Sequence, residues 1–135
     1  MAPFGENGCV SKTILLVDDQ QEVRRILERM LGTLGYAVLT AGGGDEALAL
    51  DQSYAGPIHV LLTDLEMPGM DGRQLAKAVQ QRRPGIGVLF LSGQLEDEDE
   101  GTFVRDEEGS FLLKPCTTKE LSESISRLIE GLPSN

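Results

Sequence analysis

The chain has 135 residues, 40% of them apolar and 25% charged, with 12 basic against 22 acidic side chains and a formal net charge of −10. That length suits one domain whose core needs no disulfide. The longest apolar runs, four to six residues, exclude a membrane-spanning helix, which needs ~20. The acidic balance argues against free DNA or RNA as a partner, because phosphate binding needs a basic surface.

Residues 1–11 read as a flexible leader. "MAPFGENGCV" lacks the basic-then-apolar order of a secretory signal, so the expected compartment is cytoplasmic. "TILLV" (Thr13–Val17) is apolar and β-branched, a buried strand. Val23, Ile26, Leu27, Met30, Leu31 and Leu34 then recur at helical spacing and predict one apolar stripe, stopped at Gly35. "YAVLT" (Tyr36–Thr40) is a second strand, and "GGG" (Gly42–Gly44) leads into a weaker helix over Asp45–Ser53. Pro57 opens the third strand, "IHVLL" (Ile58–Leu62). A helix near Asp71–Arg82 follows, and then "IGVLFL" (Ile86–Leu91), the fourth strand.

Gln94–Gly109 holds eight acids and one arginine, −7 of the −10. It reads as a solvated face or loop with a short, loose helix; an acidic docking surface is the sharper alternative. "SFLL" (Ser110–Leu113) is the fifth strand. Leu121, Ile125, Leu128, Ile129 and Leu132 line the last helix, and residues 133–135 form a tail. Cys9 and Cys116 lack metal-ligand spacing and read as free thiols; His59, without ligating company, reads as structural. Continuously apolar strands alternating with helices predict an α/β protein with a parallel sheet covered on both faces, and one domain spanning residues 12–132.

Open parallel sheets gather ligands outside the carboxyl ends of their strands. The first strand delivers Asp18 and Asp19 there, the third Asp64, the fourth Ser92 and the fifth Lys114 with Pro115. Three acids brought together repel one another. A hard divalent cation with oxygen ligands relieves that repulsion, and Mg²⁺ suits a site of few protein ligands. A lysine and a hydroxyl beside it are equipment for phosphoryl transfer. Each residue also has a plainer explanation. Asp19 with Glu22 matches a helix-capping pattern, as do Asp71 with Gln74 and Thr117 with Glu120. The last two are taken as caps; the first would still leave Asp18 without a role.

"LLVDD", "LLTDLEMPGMDG", "LFLSG" and "FLLKP", in this order, resemble the receiver domain of two-component response regulators over about Lys12–Leu132. The resemblance implies a flavodoxin-like, doubly wound (βα)5 fold, a five-stranded parallel sheet of order 2-1-3-4-5 with helices on both faces. It implies Asp64 as phosphoacceptor, and Mg²⁺, for which Mn²⁺ can substitute, bound directly by Asp19, Asp64 and the backbone carbonyl of Glu66, with Asp18 helping through a coordinated water. Ser92 and Lys114 would hold phosphoryl oxygens, and Lys114–Pro115 would be a cis peptide. Ser92 and Phe111 would form the switch, acting on the face of the fourth helix, fifth strand and fifth helix, while Glu66 and Gln94 would tune phosphoryl lifetime. The implied partner is a sensor histidine kinase or histidine phosphotransfer domain, with the output partner unspecified. Such a domain phosphorylates and dephosphorylates itself without being a conventional enzyme. The turn "GYAVLTAGGGDEAL" and the "FLLKP" ending resemble receivers fused behind sensor kinases, so a stand-alone receiver and a piece of a hybrid kinase both stay open. A phosphorylation-independent interaction module is the alternative. An aspartate-nucleophile phosphatase fits poorly, because its D-x-D pattern follows the first strand whereas "DLE" here follows the third.

Overall fold

The computed structural model describes residues 12–92, 103–106, 109–113 and 117–131. Strands and helices follow as β1 (Thr13–Val17), α1 (Gln21–Thr33), β2 (Ala37–Ala41), α2 (Gly44–Ser53), β3 (Val60–Asp64), α3 (Gly72–Arg82), β4 (Gly87–Ser92), β5 (Phe103–Asp106), β6 (Gly109–Leu113) and α4 (Thr118–Gly131).

Every residue of β1 and β3 is buried, as expected of strands covered on both faces. Strand side chains alternate between those faces, and the chain uses the alternation to build two cores. Ile14 and Leu16 point to one, where Leu27 and Leu31 of α1 meet Leu121, Ile125 and Leu128 of α4. Leu15 and Val17 point to the other, against Ala47 of α2 and Leu75, Ala76 and Val79 of α3. Each fully buried leucine or isoleucine contributes roughly 1.5–3 kcal/mol.

The apolar stripe of α1 is narrower than its spacing predicts. Leu27 and Leu31 are buried, but Ile26 is 60% exposed. One residue along a helix is a turn of about 100°, so Leu27 and Ile26 cannot both face the sheet squarely. Two helix starts are as read. The Asp71 carboxylate accepts from the Gln74 N–H at 2.9 Å while the Gln74 side chain accepts from the Asp71 N–H at 3.0 Å. Thr117 and Glu120 make the same reciprocal pair.

Among the described residues the sheet has six strands, in the order β2-β1-β3-β4-β6-β5, where five were expected. All neighbours are parallel except β5 and β6, which are antiparallel. The sixth strand is Phe103–Asp106, inside the segment read as a loop with a loose helix. Phe103 and Val104 favour a pleated strand, and pairing in register with Gly109–Leu112 satisfies backbone groups that a charged loop would leave to water. Residues 94–102 and 107–108, the rest of that segment up to Gly109, lie outside the described residues. Four helices are described, α2 and α3 on one face and α1 and α4 on the other.

A cluster absent from the sequence reading ties the other end of the sheet. The fully buried Asp51 of α2 pairs with Arg82, at 2.7 Å, and with Arg83. Arg83 also donates to the carbonyls of Asp51, Tyr54 and Gly56 at 3.0–3.1 Å. The two arginines thus bind the α2–β3 connection to the end of α3. His59 fits its structural reading: its Nδ1 accepts the Thr13 N–H at 2.9 Å, holding the start of β1.

Candidate functional site

The chain leaves β1 towards β2 on one side of the sheet and later places β3 on the other. This reversal opens a crevice at the carboxyl ends of β1 and β3. Val17 pairs in register with Thr63, so Asp18 and Asp64 emerge side by side. Asp64 is the last residue of β3 itself, two residues beyond the expected strand end, and is 8% exposed.

Asp18 is buried and held through three groups. Its N–H donates to the Ala41 carbonyl at 3.2 Å, its Oδ1 accepts the Gln20 N–H at 2.8 Å, and its carbonyl accepts from Arg24 Nη1 at 2.7 Å. Asp19 is exposed. It does not cap α1: the cap residue is Gln20, with no side-chain cap hydrogen bond. The capping explanation of Asp19 is thereby removed. Carboxylate oxygens of Asp18, Asp19 and Asp64 lie within 4.8 Å of one another.

The turn after Asp64 is fixed by its backbone. The Leu65 N–H donates to the Leu91 carbonyl and the Gly72 N–H to the Leu65 carbonyl, both at 2.8 Å. A side chain at Gly72 would collide with the Asp64 carbonyl oxygen, and Gly69 turns the chain with φ +79°. Met67 is buried in the core beneath, while Glu66 is exposed at the rim. Met70 leans onto Gly44, whose missing Cβ would sit 2.7 Å from the thioether sulfur.

Ser92 ends β4 one position beyond Leu91, the register partner of Asp64, and pairs with Leu113, the last residue of β6. The backbone of Ser92 therefore reaches the same edge of the sheet. Phe111 lies within β6 opposite Phe90. The side chains of Ser92 and Phe111, and all of Gln94, Lys114 and Pro115, lie outside the described residues. Arg24 was missed by sequence reasoning. Its signal was an arginine one helical turn past the acid pair, indistinguishable in sequence from the exposed Arg25.

Three carboxylates offer only hard oxygen donors, the donor set that Mg²⁺ takes, and a divalent charge would offset their repulsion. A doubly wound sheet with an acidic trio at its reversal point is equipped to bring a cation and an anionic ligand together. A family model described as the response regulator receiver domain matches residues 14–126, and the chain belongs to that family. It is 34% identical over 120 residues to the sensor kinase CckA of Brucella abortus, covering 89% of this chain and 13% of that protein. It is 29% identical to the transcriptional regulatory protein AruR of Pseudomonas aeruginosa, covering 86% of this chain and 48% of the relative. The chain thus spans half or less of these relatives' length. Among solved structures, chemotaxis protein CheY4 of Vibrio cholerae superposes with a TM-score of 0.76 at 28% identity, covering 88% of this chain and 99% of that one. Among the described residues, no helix is long and apolar enough to cross a membrane.

Proposed function

We propose that Asp64 accepts a phosphoryl group from a histidine of a sensor kinase or phosphotransfer domain. The observation that carries this reading is the convergence of Asp18, Asp19 and Asp64 at the ends of β1 and β3. A carboxylate oxygen of Asp64 attacks phosphorus, the P–N bond to the donor imidazole breaks, and an acyl phosphate forms. Mg²⁺, or Mn²⁺ in its place, held by Asp18, Asp19, Asp64 and the Glu66 carbonyl, would screen the approach of two anions. The response regulator TrrA of Thermotoga maritima, 27% identical with a TM-score of 0.72, covering 87% of this chain and 98% of that one, is described in complex with Mg²⁺ and BeF; that description supports the metal assignment by similarity.

Asp64 ends a strand that is buried along its whole length and keeps 8% exposure, which supports a nucleophile held in place at the edge of the sheet. Ser92 and Lys114 take the phosphoryl oxygens, Lys114 with its charge and Ser92 with its hydroxyl. The phosphoryl group adds roughly −1.5 to −2 charge. Movement of Ser92 and Lys114 towards it biases a two-state equilibrium, read through Phe111 and the surface around the last parallel strand and α4. Glu66, at the rim, and Gln94 set how fast water reaches the acyl phosphate. The expected partners are a histidine-phosphorylated protein and an output protein that reads the switched surface.

The test is intact mass after incubation with Mg²⁺ and acetyl phosphate. One phosphoryl group should be gained by the wild type and none by Asp64→Asn or by the wild type without a divalent ion. The decay rate of the product should change in Glu66→Ala. A wild type that gains nothing and binds no beryllofluoride would instead point to a phosphorylation-independent interaction module.

A further inference from the structure

We infer that Arg24 is a positioning residue for the cation site, a clamp that sets the direction of the Asp18–Asp19 peptide without binding the metal itself. The inference rests on the metal reading above and adds a residue to it. Arg24 sits on the first turn of α1, half-buried, and its Nη1 donates to the Asp18 carbonyl at 2.7 Å. That carbonyl belongs to the peptide that leads into Asp19, so fixing it fixes where the exposed Asp19 carboxylate projects. The Asp18 N–H and Oδ1 are tied to Ala41 and Gln20. The arginine bond completes the constraint on a residue that must present one carboxylate and orient the next.

The clamp reaches a second loop. A Cβ at Gly42, just beyond β2, would lie 3.3 Å from Arg24 Nη1 and 3.3 Å from Glu46 Oε1. Glu46 Oε1 itself accepts the Gly42 N–H at 2.8 Å. Only a glycine lets the guanidinium and the carboxylate close over this backbone without displacement. The β1–α1 turn and the β2–α2 loop are thereby packed together beside the acid trio. Outer groups that orient metal-ligating side chains strongly influence affinity although they never touch the ion.

Positioning and plain charge predict opposite signs. As a nearby cation, Arg24 repels a divalent ion, so removing it would tighten binding. As a clamp, its removal lets the Asp18–Asp19 peptide swing and weakens binding. The experiment is a titration of the full chain with MgCl₂ at constant ionic strength, by calorimetry and by amide shifts of residues 17–20. Wild type, Arg24→Gln and Arg24→Lys are compared, with thermal unfolding in the absence of Mg²⁺ measured on each. Arg24→Gln should weaken Mg²⁺ binding roughly tenfold or more. Arg24→Lys keeps the charge but not the planar fork, and should recover only part of the loss. Tighter binding in Arg24→Gln overturns the clamp in favour of simple repulsion. Unchanged affinity with lowered thermal stability overturns it in favour of a purely structural role. A wild type that gives no Mg²⁺ response overturns the metal reading itself, and the clamp with it.

Discussion

Asp64 works from a position that tolerates almost no side-chain bulk behind it. The turn leaving β3 folds back so closely that the Gly72 backbone rests against the Asp64 carbonyl. Its N–H closes the turn on Leu65. Gly72→Ala therefore inserts a methyl group where backbone already stands. The expected cost is about 1–3 kcal/mol, read as a lower urea midpoint with an unchanged m-value. Phosphoryl gain should fall in the same variant, because the displaced atom belongs to Asp64, the proposed acceptor. This closeness was half legible: "MPGMDG" announces a turn, but which glycine supports which carbonyl depends on how β3 meets α3. The acid pair was legible as a pair, whereas the contrast in setting between a buried, tethered Asp18 and an exposed Asp19 was not. Both are aspartates in a row, and only the packing of β2 and α1 distinguishes them.

At the scale of elements, α2 and α3 are joined by charge inside an apolar layer. Asp51 has no exposure, and Arg83 spends its guanidinium on it and on three carbonyls. Removing one partner of such a cluster leaves a buried charge uncompensated. Asp51→Ala should cost about 3–5 kcal/mol in denaturant unfolding, while Arg82→Ala, truncating a side chain that is 48% exposed, should cost about 0–1 kcal/mol. The sequence showed the helix ending in "RR" but not its partner some thirty residues earlier, since nothing local marks Asp51 as buried. Periodicity located α1 and α4 because each must bury a stripe. It misjudged Ile26, for which the stripe has no room, and the Phe103–Asp106 segment. There, charge density suggested solvent while two β-prone residues and a neighbouring strand decided the outcome.

For the molecule as a whole, pH acts on stability through His59, apart from the acidic edge. Burial, with the Lys12 charge adding to it, pushes the imidazole below its ordinary value of 6.5. Its Nδ1 serves as an acceptor for the Thr13 N–H, which requires the neutral ring. At His59 the unfolded chain therefore binds more protons than the folded one as pH falls below about 6.5. The stabilisation is complete above that pH and is lost as pH falls through the lower folded value. Between about pH 7 and pH 5.5, the wild-type melting temperature should drop by more than that of His59→Gln. Equal slopes would remove His59 from the account. The parallel α/β plan was readable from five apolar runs because the central strands are covered on both faces. The sixth strand was not, since its place depends on pairing rather than on burial.

That sixth strand also bears on time. The β1–β2, β1–β3, β3–β4 and β4–β6 pairs each wait for a connection of many residues to close, and non-local closure slows folding. The β5–β6 pair brings Asp106 opposite Gly109, across a connection short enough to form on the scale of ~1–10 μs. The last parallel strand can thus meet β4 with its outer edge already occupied, so the order of assembly would shield that edge while the slower crossovers find their places.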